Sequence, residues 1–218
     1  MILMFSLPGC GNDPPPASRS EPVSAPRTDS TDSRPVILAF GDSLTAGSGL
    51  PPGSGYPELL QAELEMRGYR YRVVNAGVGG DTTSNGLARM SPALRLAPEI
   101  VILELGGNDG LNGLPVDSMR ANLDEMLAAF KQSGAAVILG GMTLPRNFGS
   151  DYISAFEKVY PELAAKHGAK LIPFFLEGAA GNPNLMLEDG IHPNHEGYRV
   201  LVANLMPYLE PLLDRKGN

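Results

Sequence analysis

Cysteine, histidine and tryptophan are scarce in this chain: its 218 residues include 1 Cys, 3 His and no Trp. A single thiol excludes an internal disulfide framework, and no Cys/His cluster has the spacing of a zinc site. His192 and His195 are the one close histidine pair, with no obvious third ligand beside them, so no metal is expected. Basic residues are also short, 17 against 24 acidic, for a net charge of -7. Nucleic acids and anionic membranes select a basic face, and no Lys/Arg cluster supplies one locally, so neither is an expected partner. No apolar run is long enough to span a bilayer.

What is present divides in two. Residues 1–35 comprise a mostly apolar start, Cys10, and a stretch rich in Pro, Ser and Asp. That stretch cannot bury enough apolar surface to offset its ordering entropy and is expected to be a disordered tether. Leu7-Pro8-Gly9-Cys10 resembles a bacterial lipoprotein cleavage box, which implies lipidation of Cys10 and a periplasmic protein anchored to a membrane. The alternative is an idle thiol after an apolar start of no consequence. Residues 36–218 are expected to form one domain, large enough to enclose a core and a pocket. A monomer is the default expectation.

In that domain apolar runs alternate with helical patterns. Strands are predicted at Val36–Phe40, Tyr71–Val74, Ile100–Leu105, Ala135–Leu139 and Lys170–Phe175. Helices are predicted over Tyr56–Gly68, Thr83–Leu96, Val116–Lys131, Ser150–His167 and Glu196–Leu213. In the first of them Leu59, Leu60, Ala62, Leu64 and Met66 form the expected inward stripe. Five apolar strands separated by helices are the pattern of a three-layer α/β/α fold with a parallel sheet. Right-handed crossovers place every strand-to-helix loop at one edge, so the Gly-rich loops at Ser43, Gly80 and Asn108 are expected to converge.

Convergence brings together the parts of an acyl-transfer site: a nucleophile, a base, an orienter for the base and oxyanion donors. Ser43 lies just past the carboxyl end of the first strand, although Gly-Asp-Ser also makes an ordinary strand-to-helix turn. His192 sits in Asp189-Gly190-Ile191-His192-Pro193, where Asp189 can fold back to the imidazole Nδ1; an exposed Asp-Gly turn is the bland alternative. His167 ends a helix and His195 begins one, positions that need no catalytic explanation. The N–H groups of Ser43 and Gly80 and the Asn108 amide are candidate oxyanion donors, against roles as a turn glycine and a helix cap. Leu111, Leu114, Leu144, Pro145 and Ile191 are the candidate lining of an acyl groove.

Gly41-Asp-Ser-Leu44, Gly80, Gly107-Asn108-Asp109 and Asp189-Gly-Ile-His192-Pro193 together resemble the four ordered blocks of the SGNH, or GDSL, hydrolase family. Asn75-Ala-Gly…Gly80-Asp-Thr82, Glu104-Leu-Gly-Gly-Asn-Asp-Gly110 and Leu144-Pro-Arg-Asn-Phe-Gly149 are similar to its small bacterial arylesterase, thioesterase and lysophospholipase branch. The resemblance implies a flavodoxin-like five-stranded sheet and hydrolysis without a cofactor. It implies Ser43 as nucleophile, His192 as base, Asp189 as its partner, and Ser43, Gly80 and Asn108 as the oxyanion hole. It also implies that the segment from Gly110 to Val116 moves over the acyl chain. The expected substrate is a small acyl ester or thioester, with lysophospholipid hydrolysis as the alternative main activity.

Rival classes fit less well. Gly41–Gly49 lacks the Lys-Ser/Thr ending of a phosphate-binding loop, and Gly77-Val-Gly79 lacks the third glycine of a dinucleotide fingerprint. No Gly-x-Ser-x-Gly elbow surrounds Ser43, which disfavours an α/β-hydrolase. A non-catalytic binding module on the same fold is expected to lack Ser43, Asn108 or His192, and all are present.

Overall fold

The computed structural model of this chain describes residues 32–214. Cys10 and the expected tether upstream of Asp32 lie outside them. Five parallel strands, β1 (Val36–Gly41), β2 (Arg72–Gly77), β3 (Ile100–Glu104), β4 (Ala136–Gly140) and β5 (Lys170–Ile172), form one sheet in the order β2-β1-β3-β4-β5. This is the order of the flavodoxin-like doubly wound sheet. Strands β1 and β3 are buried along their whole length, which is why they read as unbroken apolar runs. In register, Phe40 of β1 stands between Ala76 of β2 and Leu103 of β3.

The eight α-helices of the described residues are α1 (Ser43–Ala46), α2 (Tyr56–Met66), α3 (Thr83–Ala88), α4 (Met90–Arg95), α5 (Gly107–Leu111), α6 (Val116–Gln132), α7 (Ser150–His167) and α8 (His195–Leu209). Helices α2 and α8 pack against each other, and α6 packs against both α3 and α7. With right-handed crossovers these groups cover opposite faces of the sheet. The connection from β1 runs outward to β2, whereas that from β2 returns across β1 to β3. The chain thus reverses direction between β1 and β3, and the crevice beyond their carboxyl ends is where such sheets bind ligands.

Four expectations are corrected. Met66 is 77% exposed and Ala62 is exposed too, so both lie outside the inward stripe, which Leu60 and Leu64 carry at spacing four. The helix expected over Thr83–Leu96 is two helices, α3 and α4, that meet at Arg89, whose backbone (φ -107°, ψ 18°) belongs to neither. Strand β5 stops at Ile172, because Pro173 has no N–H to continue the ladder. The loop expected around Asn108 contains the one-turn helix α5.

Candidate active site

The site is built on the reversal point. β1 ends at Gly41, and Asp42 caps α1 by accepting the Leu44 N–H on Oδ1 at 3.0 Å. Ser43 is thereby the first residue of α1, with its hydroxyl at the sheet edge. Only glycine fits at position 41, because a Cβ there would collide with the Glu104 backbone oxygen at 2.5 Å and its carboxylate at 2.6 Å. From 149 positions downstream, His192 brings Nε2 to 2.9 Å from Ser43 Oγ. Its Nδ1 is 2.7 Å from Asp189 Oδ2. The other Asp189 oxygen accepts the backbone N–H groups of Ile191 and His192 at 2.8 and 3.0 Å. The imidazole bond and these two N–H groups hold the Asp189 carboxyl down at about 2. An ionised Asp189 fixes the tautomer with Nδ1–H toward itself and leaves Nε2 to accept the Ser43 proton. The loop is closed by the Leu187 N–H donating to the His192 carbonyl at 2.8 Å and by a bridge between Met186 and Pro193.

A Cβ on Gly79 would stand 4.0 Å from Ser43 Cβ, so the Gly79-Gly80 turn runs close to Ser43. Gly80 has φ +82°, a left-handed conformation that suits glycine. Asn108, in the first turn of α5, donates its side-chain amide to Asp42 Oδ2 at 3.0 Å and to the Asp81 carbonyl at 2.9 Å. Those bonds join the loops that follow β1, β2 and β3. Next to Asn108, the buried Asp109 carboxylate accepts the Thr83 N–H at 2.8 Å and the Thr83 hydroxyl at 2.6 Å, which ties α5 to the start of α3.

Beneath Ser43 lies a buried acid pair that sequence reasoning missed. Asp42 is 3% exposed, while Glu104 and Thr45 are fully enclosed. The Thr45 hydroxyl donates to Glu104 Oε2 at 2.9 Å, whereas Glu104 Oε1 has no protein partner. Burial first, and the neighbouring Asp42 charge second, push the Glu104 carboxyl well above the ordinary range. Burial pushes Asp42 up to about 6, against the bonds it accepts. Burial and the Asp42 charge both favour the neutral form of Glu104. Its only sequence signal is an acid at the end of an otherwise apolar strand.

A cavity of about 380 Å³ opens beside Ser43 and Asn108. Leu111, Leu144, Pro145 and Ile191 line it, together with Met142, Phe174, Leu176 and Met186. Leu114 does not; it sits on the outer surface, where its carbonyl accepts the Tyr152 hydroxyl at 2.7 Å. His167 is remote from the site and pairs with Asp124 at 2.6 Å, and His195 is exposed at the start of α8. Among the described residues no group of three or more His, Cys, Asp or Glu is placed to hold a metal ion.

Residues 39–200 match the model of the GDSL-like Lipase/Acylhydrolase family, and the chain belongs to that family. Its relatives include Esterase TesA of Pseudomonas aeruginosa, 46% identical over 180 residues that cover 82% of this chain and 89% of the relative. Thioesterase 1/protease 1/lysophospholipase L1 of Escherichia coli is 36% identical over 180 residues, covering 82% and 85% respectively. Among solved structures, a crystal structure of TesA superposes with a TM-score of 0.78 at 45% identity, over 82% of this chain and 99% of that one.

Proposed function

We propose that the protein is a serine esterase that hydrolyses acyl and aryl esters and acyl thioesters through a covalent intermediate on Ser43. The observation that carries this reading is the continuous chain from Ser43 Oγ through His192 to Asp189, with contacts of 2.9 and 2.7 Å. Ser43 Oγ attacks the acyl carbon as its proton passes to His192 Nε2. The tetrahedral oxyanion is met by the N–H groups of Ser43 and Gly80 and by the Asn108 amide. In the free protein both Asn108 amide protons serve protein acceptors, so the oxyanion takes one of them over as charge develops. Collapse breaks the ester or thioester bond, and the leaving alcohol or thiol receives the proton from His192. Water then attacks the acyl-Ser43 bond, gives its proton to the same nitrogen, and the acid leaves as Ser43 recovers its hydrogen.

The apolar cavity supports an acyl chain as the recognised part of the substrate. Each methylene buried there contributes about 0.8 kcal/mol, so selectivity among C4–C10 chains is gradual. Lysophospholipid hydrolysis as the main activity is the second reading, favoured by the name of the Escherichia coli relative. We further propose that residues 1–35 tether a monomeric domain on the periplasmic side of a membrane through lipidated Cys10, on the strength of the Leu7–Cys10 box. Among the described residues no helix is long and apolar enough to cross a membrane.

Ser43→Ala is expected to abolish hydrolysis of p-nitrophenyl butyrate while the urea unfolding curve stays unchanged; activity near wild type removes the nucleophile assignment. A chain-length profile on esters, thioesters and lysophospholipids side by side decides the substrate class. Fatty-acid labelling that persists in Cys10→Ser rules out the anchor.

A further inference from the structure

We propose that Arg89 is a positioning residue for the oxyanion hole: its guanidinium ties the end of β1, next to Ser43, to the end of β2 and the turn that bears Gly80, and it reaches Asn108 only through Asp81. The proposal rests on the esterase reading above. Arg89 donates through Nε to Asp81 Oδ2 at 2.6 Å and through its two terminal nitrogens to the carbonyls of Ala76 at 2.7 Å and Gly41 at 2.8 Å. Its guanidinium carbon also lies 4.0 Å from the centre of the Phe40 ring.

The choice of acceptors distinguishes this from a generic surface tie. Gly41 stands two positions before the nucleophile, Ala76 is at the end of β2, and Asp81 directly follows Gly80. The Gly41 carbonyl also accepts the Val78 N–H at 3.1 Å, from the same turn that leads to Gly80. Asp81 has a double duty, because its carbonyl accepts the Asn108 amide at 2.9 Å while its carboxylate is held by Arg89. A displacement of Asp81 therefore moves one candidate oxyanion donor through the chain and another through a hydrogen bond. All three Arg89 bonds are charge-assisted, and their planar fork is a geometry that lysine lacks.

The backbone break at Arg89 has a local cause: Pro92 has no N–H for the Ala88 carbonyl, so a continuous helix cannot pass from α3 into α4. At that break the Arg89 side chain reaches back to the ends of β1 and β2.

The test is a kinetic cycle with Arg89→Met, Arg89→Lys and Asn108→Ala on p-nitrophenyl butyrate. Both Arg89 variants are expected to lower kcat by roughly 10- to 100-fold, the penalty of a misplaced catalytic constellation, with KM changed less than about threefold. In the Asn108→Ala background the same substitutions should lose at least about threefold of that effect, since one donor they align is gone. An Arg89 residue that only braces the sheet lowers the unfolding midpoint and leaves kcat of the folded fraction intact, and that result overturns the proposal. So do effects that multiply fully in the double variant. Should Arg89→Met not fold, Arg89→Lys carries the same cycle. Wild-type kcat in Asn108→Ala alone marks failure of the oxyanion-hole reading, whereas impaired Asn108→Ala beside unimpaired Arg89 variants marks failure of this proposal only.

Discussion

Glu104→Gln isolates the buried acid pair under Ser43. A carboxyl whose folded-state value is raised keeps its proton in the folded chain where the unfolded chain has lost it. Its contribution is therefore most favourable below the ordinary value, 4.5 for Glu104, and declines as pH rises until the folded group ionises as well. One such proton gives a slope of about 1.4 kcal/mol per pH unit, downward with pH. Asp42 acts in the same direction between its ordinary 3.8 and its raised value of about 6. Over that interval its share comes to roughly 3 kcal/mol. Glutamine at position 104 is neutral at every pH and keeps an oxygen for the Thr45 hydroxyl. Urea unfolding from pH 4 to 8 at constant ionic strength should give nearly equal stabilities for the two proteins at pH 4. Above pH 4.5 the variant should gain by up to about 1.4 kcal/mol per pH unit, while kcat at neutral pH stays near wild type. Parallel stability curves, or a variant less stable at every pH, would refute a protonated Glu104.

Two other substitutions probe the reacting groups. Asn108→Ala should lower kcat roughly 10²- to 10³-fold, about 2.7–4 kcal/mol of transition-state stabilisation, with KM little changed in steady-state assays. Asp189→Asn should lower kcat by disturbing the His192 tautomer, yet hardly alter the urea midpoint at pH 7, because the Asp189 side chain is 44% exposed and solvent screens the pair. The stabilising share of Asp189 is present above its ordinary 3.8 and lost as pH falls through about 2, so midpoints of wild type and variant should also run parallel from pH 5 to 8.

The strands and the site were legible for the same reason: both depend on short local patterns. Val36–Phe40 and Ile100–Leu103 lie in the middle of the sheet, so burial on both faces leaves a run that no polar residue interrupts. The four short blocks around Ser43, Gly80, Asn108 and His192 could be read because each falls at a strand end or in the last loop. What escaped depends on distant partners. Pro92 was the local sign of the helix break beside Arg89, but the acceptors of its guanidinium sit 8, 13 and 48 positions away and leave no local pattern. Glu104 fell inside the predicted strand Ile100–Leu105 with nothing to single it out, and only the fold shows that Thr45, from α1, reaches it. Helix α5 was hidden by its glycines, which read as loop, and the inward stripe of α2 was drawn too wide, taking in the exposed Ala62 and Met66.

His192 and the Asp189 carboxylate are only three positions apart, on one turn that bonds chiefly to itself. Imidazole and carboxylate therefore travel as a single passenger, and a 2.9 Å contact joins that passenger to Ser43. On the esterase reading, an excursion of this turn would disarm the enzyme with its internal alignment preserved, and turnover would resume once the turn docked again.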